Sequence, residues 1–73
     1  MDRNYEDLVQ AIIVRAAKDY KKVLRILIRK PRKQVALDLK SDIEEFFLSQ
    51  WFRDMTTADG DYIINELQKE MAF

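Results

Sequence analysis

An all-α fold of about three helices is what this sequence predicts, and three observations predict it. Apolar residues in the first third recur at spacings of three and four over more than twenty positions, the period of one helix face. The 73 residues include one Gly and one Pro, too little turn punctuation for a sandwich or barrel of many short strands. Apolar residues make up 48% and charged residues 36%, which excludes a low-hydrophobicity disordered chain. The length fits a single domain over residues 1–73, with no internal repeat and no linker that would divide it.

The first helix is expected over about residues 4–29. Asn4 suits an N-cap, with Asp7 three positions on in a capping-box-like arrangement. Tyr5, Val9, Ile12, Ala16, Tyr20, Val23 and Leu27 then form an apolar stripe, widened by Ile13 and Leu24. On the opposite side, Arg15, Lys18, Lys22, Arg25 and Arg29 form a basic ridge. Pro31 ends this helix, and its fixed φ suits the first turn of the next. The second helix is read on Val35, Leu39, Ile43, Phe46 and Gln50, flanked by Ala36 and Phe47. Trp51 and Phe52 would leave that face, so a break is expected near Ser49, with Ser49 capping a short turn through Met55. Thr56 or Thr57 is the expected N-cap of a last helix over about 58–69, burying Ile63, Ile64, Leu67 and Met71.

Thirteen basic and thirteen acidic residues cancel, but they are not mixed. Residues 15–40 hold ten bases and two acids, whereas residues 41–73 hold two bases and eight acids. A compact chain of this size has a radius of gyration near ~11 Å and a diameter of roughly 30 Å. A first helix of about 26 residues is ~39 Å long. It must kink or project, and a projecting apolar stripe calls for a partner. A homodimer is the expectation, since self-association also stabilises a domain with a small core.

Catalysis lacks parts. With no His and no Cys, the commonest general base, metal ligands and thiol nucleophile are all missing. Glu44 and Glu45 are adjacent, so on a helix they diverge by ~100° and form no carboxylate pair. Gly60 stands alone, so no glycine-rich phosphate loop exists. Asp59-Gly60-Asp61 superficially suggests a calcium loop, but Met55 would occupy its first ligand position. No enzyme activity, metal or cofactor is expected.

Two binding surfaces compete. Phe46, Phe47, Trp51 and Phe52 put four of the eight aromatics into seven residues. Phe46 and Phe47 suit a core, leaving Trp51 and Phe52 as candidate partner-binding residues. The ridge Arg15, Lys18, Lys22, Arg25 and Arg29 can neutralise phosphates, which makes nucleic-acid binding the alternative function. Its plainer reading is a solvated face pairing with the acidic C-terminal third. That third would also repel a polyanion, so DNA is not the favoured partner.

The acidic opening, Met1 to Asp7, has no basic n-region or apolar core of an export signal, and the longest apolar runs fall far short of a membrane span. A cytoplasmic protein without membrane attachment is expected. The pattern Ile43, Glu44, Phe46, Phe47, Ser49, Trp51, Phe52, Thr56, Asp59, Gly60, Tyr62, Ile64 and Leu67, with the opening Met1-Asp2-Arg3-Asn4-Tyr5, resembles short proteins of unassigned function. Those proteins are carried on prophages and integrative mobile elements of Gram-positive bacteria. The resemblance implies a bacterial or phage origin, an intracellular setting and an accessory role. It assigns no functional residue.

Overall fold

Four helices account for the chain: α1 (Arg3–Arg29), α2 (Gln34–Phe47), α3 (Gln50–Met55) and α4 (Gly60–Glu70). They belong to a computed structural model that describes residues 3–73, with side chains from Tyr5 onward. The all-α expectation holds. Asn4 is already inside α1, and its side chain, read as the N-cap, lies outside the described residues.

α1 does not kink. At 27 residues it runs the length of a molecule measuring 43 × 20 × 18 Å, with a radius of gyration of 13.1 Å. That exceeds the ~11 Å of a compact chain this long, yet the helix does not project bare: the rest of the chain spreads along it, burying Val9 near one end and Leu27 near the other. α2 returns antiparallel along α1, joined by a tight turn in which the Lys33 N–H donates to the Lys30 carbonyl at 3.1 Å. Pro31 therefore occupies the second position of a turn, which its fixed φ suits, and not the first turn of α2. α2 starts at Gln34 with Lys33 as its cap residue.

Ser49 makes the expected break. Its hydroxyl donates to the Phe46 carbonyl (2.7 Å) and accepts from the Phe52 N–H (3.1 Å), ending α2 and opening α3 with one side chain. The last helix is capped two residues later than the sequence suggested. Asp59, not Thr56 or Thr57, accepts from the Asp61 and Tyr62 N–H groups at 3.0 and 3.3 Å. Thr56 instead closes α3 and accepts from the Ala58 N–H. Gly60 dictates that start. A Cβ there would sit 1.9 Å from the Phe47 carbonyl oxygen, so α4 meets the end of α2 backbone to backbone at its first residue.

The core has two parts along α1. Tyr20, Leu24, Phe47, Phe52, Ile64 and Leu67 form the larger, where α1, α2, α3 and α4 meet. Val23, Leu27 and Ala36 form the smaller, near the α1–α2 turn, and Ile43 packs against both. Most of the stripe assigned to α1 is buried as expected, although Tyr5 is exposed. The stripe assigned to α2 is split: Ile43 and Phe46 are half-buried against the core, and its first two residues face outward. Its supposed flanks, Ala36 and Phe47, are the buried residues, while Val35 is 64% exposed and Leu39 is also exposed. The physical reason is that α2 must serve two neighbours, α1 and α4, and the ridge between them carries Ala36, Ile43 and Phe47.

Candidate interaction surface

α1 and α2 make a two-helix layer with unlike sides. α4 covers one side, and a polar joint fastens it there. The Tyr20 hydroxyl donates to a Glu44 carboxylate oxygen and accepts from the Gln68 amide at 2.9 Å, while Lys40 pairs with Glu44 at 2.7 Å. One tyrosine thus links α1, α2 and α4. Burial, reinforced by the hydrogen bond to Glu44, pushes its phenol well above its ordinary value near 10. Among the described residues no buried side-chain polar atom lacks a partner, so the joint is satisfied as well as buried.

The other side of the layer has no cover. On α1 it lies about 130° round the helix from Tyr20 and Leu24, and it carries Leu8 (58% exposed) and Ile26 with half-buried Ile12 between them. On α2 it carries Val35, Leu39 and Phe46. An open groove of about 490 Å³ runs between the two helices here, bordered by Ile12, Arg15, Asp19, Asp42, Ile43 and Phe46. Its walls are mainly apolar, with one base and two acids at the rim. This side therefore leaves several large apolar side chains in contact with water.

The aromatic candidates part company. Trp51 is 53% exposed and rests against Phe46, a groove residue, with ring centres 5.5 Å apart. Phe52, its neighbour, is 0% exposed and packs edge-on to Phe46 and Phe47 at 5.6 and 5.5 Å. Phe52 is therefore a core residue, not a partner-binding one. The short helix α3 explains the split, since adjacent side chains diverge by ~100° and only one can face inward.

All five residues of the basic ridge are exposed. Arg15 pairs with Asp19 of its own helix at 3.5 Å. Among the described residues, Lys18, Lys22, Arg25 and Arg29 form no ion pair; the link to the acidic C-terminal third is made by Lys21, off the ridge, to Glu70. The expected neutralisation of the ridge by that third does not occur within the chain. Near the first turns of α1, Glu6 and Asp54 border the same hollow.

A second stripe on α1 escaped the sequence reading. Leu8, Ile12, Arg15, Asp19, Lys22 and Ile26 follow spacings of four, three, four, three and four, the a/d pattern of a coiled-coil seam. Charges at three of its six positions hid it behind the stronger apolar stripe. Among the described residues no cluster of acidic side chains is arranged to hold a metal ion, and no helix is long and apolar enough to cross a membrane. Comparison with protein-family models, with curated proteins and with solved structures finds no match for this chain.

Proposed function

We propose that this chain is a non-enzymatic protein-interaction module, a cytoplasmic accessory protein of a phage or mobile element, that self-associates through the open face of the α1–α2 layer. The observation that carries the reading is the exposure of Leu8, Ile26, Val35 and Leu39 on one side of two packed helices, beside an apolar groove. Burying that side removes apolar surface from water, the main driving force of association. A sequence without His or Cys supports the non-enzymatic part. The phage setting rests on the sequence resemblance alone.

Sedimentation across concentration tests this reading on the unaltered chain and on Leu39→Asp. The chain should be dimeric at micromolar concentration. Leu39→Asp should be monomeric with unchanged helicity, because it places an unpaired charge in the interface while leaving the core untouched. A monomeric mass for the unaltered chain at high micromolar concentration rejects the reading.

A second reading, nucleic-acid binding, is favoured by the lack of ion-pair partners around Lys18, Lys22, Arg25 and Arg29 among the described residues. Duplex DNA should then bind at low salt, with an affinity falling linearly in log–log against salt. Arg25→Glu with Arg29→Glu should abolish it. Binding at background in a folded protein eliminates this alternative.

A further inference from the structure

We propose that a second copy of this chain covers the open face, docked antiparallel, so that Arg15 of each protomer lies against the partner's Asp19. The proposal rests on the self-association reading and specifies its geometry. The seam positions on α1 are placed symmetrically about residue 17. Antiparallel alignment there sets Leu8 against the partner's Ile26, Ile12 against the aliphatic stem of the partner's Lys22, and Arg15 against the partner's Asp19. Two-fold symmetry repeats each contact. Arg15 is free to make this exchange, since its side chain is 81% exposed and its bond to Asp19 within the helix is a loose 3.5 Å.

Charge decides between the two orientations. A parallel pair would set Arg15 on Arg15 and Asp19 on Asp19. It would also bring together two copies of residues 18–33, each with eight bases and one acid. Such juxtaposition is strongly unfavourable. The antiparallel pair lays each basic end beside the partner's first turns, which carry Glu6 and Asp7.

The rest of the face agrees in position. The groove lies alongside Arg15 and Asp19 on α1 and Asp42 to Phe46 on α2, so an axis through residue 17 crosses α2 near Ile43. Leu39 then falls against the partner's Phe46, which covers the outward stripe that the chain leaves bare. The face runs along the 43 Å long axis of the molecule, so docking there engages α1 over most of its length.

Disulfide trapping reads the register, because the chain has no cysteine of its own. Leu8→Cys and Ile26→Cys are made separately; both positions are exposed, so folding is retained and is checked by circular dichroism. Mixed and oxidised, the two variants should form a covalent dimer. Each alone should not, since copies of the same position sit about 27 Å apart in the antiparallel pair. Arg15→Asp and Asp19→Arg should each weaken the dimer about tenfold, and an equimolar mixture of the two should regain it. A dimer in which Leu8→Cys links to itself, or in which neither variant nor their mixture links, overturns this geometry while leaving self-association standing. A monomeric mass for the unaltered chain overturns both.

Discussion

The two sides of the α1–α2 layer are built from the same kinds of residue and end in opposite states. On the α4 side, Tyr20, Leu24 and Phe47 are sealed by Ile64 and Leu67, and the polar groups that go under with them are all partnered. On the other side, Leu8, Ile26, Val35 and Leu39 stand in solvent, and between the helices runs an open groove with Arg15, Asp19 and Asp42 at its rim. One layer of covering helix accounts for the difference. α4, eleven residues long, lies on one side of the α1–α2 pair, and no other described helix lies on the opposite side. The covered side holds the chain together, and the bare side leaves its apolar residues in water.

The sharpest break in that comparison is at adjacent residues on α3. Phe52→Ala should destabilise the protomer by about 3–5 kcal/mol, because a fully buried aromatic leaves a cavity among Phe46, Phe47 and α4. Trp51→Ala should cost at most about 1 kcal/mol, the scale of one exposed aromatic contact. Urea unfolding at low micromolar concentration measures both. Equal costs for the two would mean that α3 is turned differently.

Next in size is the contact between α4 and the end of α2. Gly60→Ala should cost about 3 kcal/mol, because the new methyl meets the Phe47 carbonyl and backbone cannot yield as a side-chain tip does. Thermal melts would report the loss as a lower midpoint. Retained stability would show that α4 can move away from α2 without loosening the roof.

The smallest effect concerns the polar joint. Tyr20→Phe should cost about 1–2 kcal/mol by leaving Glu44 and Gln68 one partner short. It also carries a pH signature. The phenol's folded-state pKa is raised above its unfolded value, so its stabilisation is complete below pH 10 and falls away as pH climbs beyond it, where unfolded chains lose the proton first. Denaturation curves from pH 8 to 11 should fall for the unaltered protein and flatten for Tyr20→Phe. A parallel fall in both would place the alkaline sensitivity elsewhere.

Legibility followed the range of the interaction concerned. The extent of α1, its end before Pro31 and the break at Ser49 depend on neighbours within a few positions, and each could be read from local pattern. The cap of α4 lies at Asp59 because three residues within four positions, Thr56, Thr57 and Asp59, offer suitable oxygens, and the choice fell to the Gly60–Phe47 approach, which is not local. The seam on α1 was written in the sequence but outvoted, since Arg15, Asp19 and Lys22 read as solvated charges until Leu8 and Ile26 are seen bare beside them. Phe52 and Trp51 were indistinguishable by type and were separated by the turn of a six-residue helix.

The residues by themselves determined that this chain is helical, that its first helix is longer than a compact domain of this size is wide, and that base and acid fall in separate stretches of the sequence. Each follows from spacing, length or composition, which neither packing nor partners can alter. Tertiary structure alone decided which of two apolar stripes on α2 went inside. Helix periodicity marks the stripes without ranking them; the ranking came from α2 facing α1 and α4 at once, with Ala36 and Phe47 small or flat enough, respectively, to allow the approach. The stripe that lost, Val35 and Leu39, became the bare face.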